Sequence, residues 1–468
     1  MTALVTTSIE LLSGAPNGIE KIRVLFRRLA LEGKFSTFDC SSSPGAAWLH
    51  STFGRVFSLE YGSNLPAPKR TGTGEFLVYG SNGVVGSHNA CCVDAPCLVV
   101  GRKGSAGAVN VCEQPGCWVT DVAYFCVPPN SVTLRFAHLL FLTLGLDELG
   151  KGIKPGLSRS EAYALPVSIP PLAEQHRIVA KFDELMALCD RLEARQKDAE
   201  AAHARLVQAL LDSLNQARDA DEFQACWQRV VAQFSVLFTT PASIDSLWSA
   251  VLCLAAEGKL VAAGEQVAQL PIGELLLGDT LNGCSYKPSD TPVGIPILRI
   301  SAGTGSDDFI VDETDHKWVE VTAAEREKFR LLRNDLLACR FNGNLHYVGA
   351  FALYNGASSV EQIFPDKLIR FRINDQRALP AYLRFVMNAL PARQQIESFC
   401  ATTVGNIGIS ATNLKTVKVR VPSLDEQHRI VAKVTELLAL CGQLKASITA
   451  ARAKHSKLAD ALVAQAIL

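Results

Sequence analysis

The segment Glu174-Gln175-His176-Arg177-Ile178-Val179-Ala180-Lys181 returns unchanged as Glu426-Gln427-His428-Arg429-Ile430-Val431-Ala432-Lys433, 252 positions later. A repeat of this kind says that the chain holds two copies of one unit, and it sets the architecture before any local propensity is read. The match extends at the same offset: Pro170 to Pro422, Leu172 to Leu424, Leu188-Cys189 to Leu440-Cys441, Leu192 to Leu444, His203 to His455, Leu206 to Leu458 and Leu210 to Leu462. A second block, Ile19 to Lys34, returns as Ile244 to Lys259 at an offset of 225, each copy ending in Glu-Gly-Lys. The order is therefore short block, variable region, long block, then all three again. Such a chain is pseudo-cyclic: its last helix should meet its first as the middle of the chain meets itself.

The long blocks read as helices. Ile178, Phe182, Leu185, Cys189, Leu192, Gln196, Ala199, His203, Leu206 and Leu210 follow one another in steps of four and three. Ile430, Val434, Leu437, Cys441, Leu444, Ile448, Ala451, His455, Leu458 and Leu462 repeat the rhythm. This 3.5-residue period defines a coiled-coil seam. Pro170-Pro171 and Pro422 mark the starts, because proline is tolerated at a helix entry. Two such helices related by a pseudo-twofold axis would lie antiparallel and bury each other's seam. Gln196, His203 and His455 are read as register-fixing seam residues, and His176 and His428, beside Glu174 and Glu426, as part of a first-turn capping and docking network.

Residues 53–169 and 272–421 show no sustained helical period. Short apolar runs such as Cys97-Leu98-Val99-Val100 and Ile297-Leu298-Arg299-Ile300 alternate with glycine-rich turns, a pattern of short strands. A helix is expected in each region, near Phe136 to Leu144 and near Pro380 to Leu390. The turns carry donors. Tyr79-Gly80-Ser81-Asn82-Gly83 and Gly101-Arg102-Lys103-Gly104-Ser105 lie in the first region, and Arg340-Phe341-Asn342-Gly343-Asn344 and Gly405-Asn406-Ile407-Gly408 in the second. Arginine pairs with guanine and asparagine with adenine in a major groove, while lysine and backbone N–H groups hold phosphates. Taken alone, Gly-Asn loops are also ordinary turns.

Lysine plus arginine and aspartate plus glutamate each number 46, so no global basic footprint exists and any nucleic-acid contact must come from local patches. The apolar stretches Phe136–Leu146 and Leu247–Ala256 are too short to span a bilayer. The 14 cysteines lack the spacing of a secreted disulfide scaffold, which suggests a thiol-reduced, cytoplasmic chain. Cys92, Cys97, Cys112 and Cys117 leave two readings open, a four-thiolate zinc site or small apolar strand residues; no metal is assigned. Gly145 to Gly152 lacks the Ser or Thr that follows the lysine of a phosphate-binding loop. The Glu-Gly-Lys tripeptides at Glu32 and Glu257 fit a helix end, with glycine as the cap. No catalytic residue is assigned.

The whole pattern resembles the DNA-specificity subunit of a type I restriction-modification system. The resemblance covers nearly the full chain. It rests on two variable regions alternating with two repeated helical ones, and on Ile169-Pro170-Pro171-Leu172-Ala173-Glu174-Gln175-His176-Arg177-Ile178-Val179. The second copy, from Val421, departs by Ser423 in place of the second proline. Tyr79 to Gly86, Val100 to Gly107 and Leu337 to Asn344 are also similar to this family's recognition domains. The resemblance implies an α+β fold with two strand-rich target-recognition domains, joined by two long antiparallel coiled-coil helices in a pseudo-twofold, pseudo-cyclic arrangement. It gives an N-terminal helical segment 1–52, recognition domains 53–169 and 272–421, a central helix 170–215, a connecting helical segment 216–271 and a C-terminal helix 422–468. The seam residues would be Ile178, Phe182, Leu185, Leu192, Leu206, Ile430, Val434, Leu437, Leu444 and Leu458.

It further implies a non-catalytic chain that reads a bipartite, asymmetric double-stranded DNA target. The chain would position two methyltransferase subunits and the restriction (translocase and nuclease) subunits. S-adenosylmethionine, ATP and magnesium would be bound by those partners, none by this chain, and no membrane is involved. Lys69, Arg70, Lys103, Lys151 and Lys154 are the expected phosphate contacts. Asn82, Arg102, Arg340, Asn342 and Asn344 are the expected base-edge or near-base contacts, with Ser81, Ser105 and Asn406 on the same loops. The competing expectation is an orphan DNA-binding or scaffold protein of this architecture without active enzyme partners.

Overall fold

A computed structural model describes residues 12–31, 48–150, 156–218, 220–261, 267–403 and 406–467. The chain forms two compact units, Met1–Ala199 with Arg452–Leu468, and Glu200–Ala451.

The first unit begins with α1 (Gly18–Leu31), whose apolar face Ile19, Ile22, Leu25, Phe26, Leu29 and Ala30 is buried. The recognition domain follows: β1 (Leu49–Thr52), β2 (Glu60–Tyr61), β3 (Phe76–Gly80), β4 (Gly83–His88), β5 (Cys97–Gly101), β6 (Val109–Cys112), β7 (Cys117–Val119), β8 (Ala123–Cys126), α2 (Leu134–Phe141), α3 (Arg159–Tyr163) and β9 (Pro166–Ile169). Strands β2-β8-β5-β6 form an antiparallel sheet in that order, and β4-β3-β7 a second one with β3 parallel to β7. Strand β5 is buried along its whole length, as its continuous apolar run requires. Strand β9 returns antiparallel to β1, Leu49 opposite Ile169. The long helix α4 (Leu172–Gln216) starts directly after Pro170-Pro171.

The second unit takes up the end of α4, then α5 (Ala220–Ala232) and α6 (Pro241–Glu257), which ends on Gly258 at φ +75°, the left-handed cap that its sequence predicts. Its recognition domain holds β10 (Gln269–Pro271), β11 (Leu281–Asn282), β12 (Ile295–Leu298), β13 (His316–Val319), α7 (Ala323–Phe329), β14 (Leu336–Cys339), β15 (Phe341–Asn342), β16 (Phe351–Leu353) and β17 (Leu368–Phe371). There follow α8 (Pro380–Val386), α9 (Leu390–Ser398), β18 (Ala401–Thr403), β19 (Asn406–Gly408), α10 (Ala411–Lys415), β20 (Lys418–Arg420) and the second long helix α11 (Leu424–Ile467). The main sheet runs β11-β17-β14-β16, the same order of entry strand, last strand, central strand and hairpin partner as in the first domain. Strand β20 returns antiparallel to β10. Each recognition domain thus opens with a strand, at Leu49 and Gln269, inside segments that the sequence assigns to helix.

Seam packing can be followed within each unit. In the first, Ile178, Phe182, Leu185, Cys189 and Leu192 share a core with α1 and with Ala459, Leu462 and Val463. In the second, Val207, Leu211 and Leu214 share a core with Cys441, Leu444 and Ile448, while Ile430, Val434 and Leu437 enter the core of the recognition domain. Two seam expectations fail in the same way. Leu206 is 49% exposed and Leu458 50%, whereas Val207 is 2% exposed and Ala459 0%. The reason is helical drift. At about 100° per residue, a position 28 residues beyond Ile178 stands about 80° off its direction, and the next position only about 20° off. The buried stripe therefore moves on by one residue in both copies. His203, read as a register residue, sits with its Nε2 3.0 Å from the Val236 carbonyl oxygen.

Candidate nucleic-acid interface

The two recognition domains place one arginine at the same topological point. Arg102 follows the central strand β5, and Arg340 follows the central strand β14. Each backbone N–H donates to the residue just before the last strand of the sheet, Arg102 to Val122 O at 2.9 Å and Arg340 to Lys367 O at 2.8 Å. Each carbonyl accepts from the residue just before a helix cap, from Leu157 N at 2.9 Å and Ile409 N at 3.0 Å. The preceding residues, Gly101 and Cys339, accept from Gly107 and Gly349, two glycines at φ +80° and +70°. That left-handed conformation, open to glycine at little cost, turns each chain back into the hairpin. The pair is not visible at either repeat offset, because the intervening loops differ in length.

The side chains differ in setting. The Arg102 guanidinium lies 4.8 Å from the centre of the Tyr61 ring and donates Nη1–H to the Asp121 carbonyl at 2.9 Å. Arg159, on α3, covers the same ring at 4.4 Å and donates to the Leu59 carbonyl. Tyr61 is 49% exposed, so this is a cationic, aromatic surface cluster. Tyr61 and Arg159 are absent from the sequence expectation; they stand 98 positions apart and no local motif joins them. In the second domain Arg340 stacks on Phe341 at 4.7 Å and makes no hydrogen bond through its guanidinium to another described residue.

The loop expectations meet in space. Ser81 and Asn82 form the two-residue turn of the β3–β4 hairpin, with Gly80 opposite Gly83. This turn packs against the turn after β5: a Cβ on Gly101 would stand 2.0 Å from Ser105 O and 2.4 Å from Ser81 O. Glycine at 101 is thus what lets the Ser81-Asn82 and Arg102-to-Ser105 turns touch. Lys103 and Asn82 are exposed there, and Lys69 is exposed at the end of a short helical turn. Arg70 differs: it donates to the Leu65 and Val85 carbonyls at 3.3 Å, bracing its own domain. In the second domain Arg340, Asn342 and Asn406 come together through the β15-β19-β18 sheet, where Asn342 pairs with Ile407. Lys151, Lys154, Gly405 and the first Glu-Gly-Lys tripeptide lie outside the described residues.

Asn342 and Asn344 each brace their own turn. Asn342 Oδ1 accepts from Asn344 N–H at 2.9 Å, and Asn344 Oδ1 from His346 N–H at 3.0 Å. Bidentate pairing with adenine uses both the oxygen and the nitrogen of the amide. Here one lone pair of each oxygen holds the turn, which is the common use of asparagine there.

Cys97, Cys112 and Cys117 sit in a core with Tyr79, Val93 and Val119, and Cys97 and Cys117 sulfurs are 3.7 Å apart. Burial pushes the Cys112 thiol up to about 11. Among the described residues no group of three or more His, Cys, Asp or Glu side chains is placed to hold a metal ion. Among them, too, no helix is long and apolar enough to cross a membrane.

No family model matches the chain. It is 30% identical over 300 residues to the specificity subunit of the type I restriction enzyme EcoKI of Escherichia coli (strain K12), covering 64% of this chain and 56% of that one. It is 27% identical over 393 residues to the EcoEI specificity subunit of Escherichia coli, covering 72% and 66%. The matches thus span less than two thirds of either relative's length. A solved chain from work on complex assembly and conformational transition of the type I R-M system shares the fold, with a TM-score of 0.53 at 15% identity, over 91% of this chain and 99% of that one. By fold, the chain is of the class with two recognition domains and two long helices. Its sequence is similar to those of specificity subunits of type I restriction enzymes.

Proposed function

We propose that the chain is the sequence-specific DNA-binding subunit of a type I restriction-modification complex. Each recognition domain would read one half of a bipartite, asymmetric target, and the long helices would set the unread spacer. The observation that carries this reading is the matched placement of Arg102 and Arg340, each beside an aromatic ring and each fixed by the same three backbone bonds. Two unlike domains that present a cation at one topological point suit two unlike half-sites approached in one manner. Arg102, Arg159, Lys103 and Lys69 supply positive charge on the first domain, and Arg340 and Asn406 are the candidate contacts on the second.

The enzyme partners would dock on the long helices, two methyltransferase subunits using S-adenosylmethionine, with ATP-dependent restriction subunits beyond them. A surface feature supports two copies of one partner. Over the sixteen residues starting at Glu174 and Glu426, Phe182/Val434, Asp183/Thr435 and Met186/Leu438 differ, besides no others. Phe182, Val434 and Met186 pack against the cores, while the exposed His176/His428, Lys181/Lys433, Glu184/Glu436 and Leu188/Leu440 pairs are the same. Packing alone would hold the core and let the surface drift. Lys181–Glu184 and Lys433–Glu436 even form the same ion pair, at 2.8 and 3.0 Å.

The test is sequencing of methylated DNA from cells that express this chain with its neighbouring methyltransferase, against cells without the chain. A new N6-methyladenine signal at one bipartite sequence is expected. Its absence, with both proteins expressed, would overturn the reading.

A further inference from the structure

Each copy of the repeated octapeptide carries a glutamine at its second position, and both side chains are fully buried, at 0% exposure. In the first unit Gln175 Oε1 accepts from the Thr133 N–H at 2.8 Å, at the residue that caps α2. Its Nε2 donates to Ser131 O and Pro170 O, both at 2.8 Å. In the second unit Gln427 Oε1 accepts from the Leu379 N–H at 2.7 Å, at the residue that caps α8. Its Nε2 donates to Pro422 O at 2.8 Å and reaches Arg377 O at 3.5 Å.

Each site therefore offers one N–H and two carbonyl groups. The matching side chain needs one acceptor and two donors in one planar head, which a primary amide provides and a carboxylate, ammonium or guanidinium does not. Every partner is backbone. Ser131-Val132-Thr133 and Arg377-Ala378-Leu379 have no residue in common, yet both are gripped alike. The grip reads where the chain runs, not which side chains it carries. It also ties three points together: the first turn of the long helix, the proline before it and the start of the recognition-domain helix.

We propose that Gln175 and Gln427 are positioning residues that lock each recognition domain at a fixed angle to its long helix, and that discrimination of spacer length depends on this lock. The DNA consequence rests on the function proposed above; the lock does not. The test substitutes Gln175→Met and Gln427→Met, which keep length and apolar volume and remove the amide. Val167→Ala, in β9, serves as a comparably destabilised control. Spin labels on non-canonical residues at the exposed positions Glu75 and Glu184 report the angle in the first unit. The distance distribution should broaden in the Gln175→Met protein and stay narrow in Val167→Ala. With its methyltransferase, the doubly substituted chain should methylate targets whose spacer is one base pair too long or too short at least tenfold better, relative to the cognate target. Discrimination against single-base changes inside each half-site should persist. An unchanged distribution, or equal broadening in the control, would overturn the lock. Broadening with spacer discrimination intact would overturn the DNA consequence. Absence of spacer-dependent methylation by the unsubstituted chain would instead sink the proposed function, with the distance measurement still deciding the lock.

Discussion

The drift of the seam gives a quantitative contrast between two leucines on one helix. A strict 3.5-residue period buries Leu206 and turns Leu211 away; the structure exposes Leu206 by half and buries Leu211 to 2%. Leu211→Ala removes a side chain packed among Val207, Val230, Leu237 and Cys441 and should cost about 3 kcal/mol, the middle of the range for a buried leucine. Leu206→Ala gives up about half of a burial gain of roughly 2 kcal/mol, hence about 1 kcal/mol. Native-state hydrogen exchange over α5 and α6 reads the opening of this core. At about tenfold per 1.4 kcal/mol, Leu211→Ala should speed exchange by about 150-fold and Leu206→Ala by about fivefold. Equal acceleration, or the reverse order, would refute the claim that this end of the helix keeps the period of a straight α-helix.

Further outcomes are expected. Arg102→Ala and Arg340→Ala should each weaken binding to cognate DNA by about 1–3 kcal/mol and relax selectivity in one half-site, a different one for each, as measured by competition against single-base variants. If the long helices carry one methyltransferase each, as proposed, Leu188→Glu or Leu440→Glu alone should reduce the number bound from two to one, counted by native mass spectrometry; both together should leave none. Deleting seven residues from α4 and from α11 should change the spacer that is methylated and keep the half-site sequences, read from the methylated genome. Burial raises the Cys112 and Cys339 thiols from 9.0 to about 11. Folding then favours the protonated form, so their contribution is complete below pH 9 and should be lost as pH rises from 9 to about 11, in denaturant titrations across that window.

The sequence reading reached the repeat, the two long helices, the strand-rich regions and the loops that carry Arg102 and Arg340, because these depend on identity, period and turn chemistry. The equivalence of the two arginines was hidden. It is set by strand order and by bonds from Val122, Leu157, Lys367 and Ile409, none of which has a fixed spacing from its arginine in both domains. Asn342 and Asn344 look like readers in the sequence, and only the geometry gives their oxygens to Asn344 and His346 N–H groups. Gln175 and Gln427 stood in the strongest motif of the chain without an assigned role, because a buried amide that binds only backbone has no partner residue to find. The shift from Leu206 to Val207 needed the true helical period, which hydrophobic spacing approximates and does not fix.

The paired strands at the base of each recognition domain have one more consequence. Leu49 faces Ile169, and Gln269 faces Arg420, so the chain leaves each domain beside the point where it entered. Whatever is threaded between those two strands begins and ends at one small doorway. Insertions or deletions in the loops of that thread that keep the turn gripped by the glutamine should leave the doorway and the long helix where they were. A doorway of fixed width and free contents lets the two strand-rich domains differ in length while the frame that carries them stays the same.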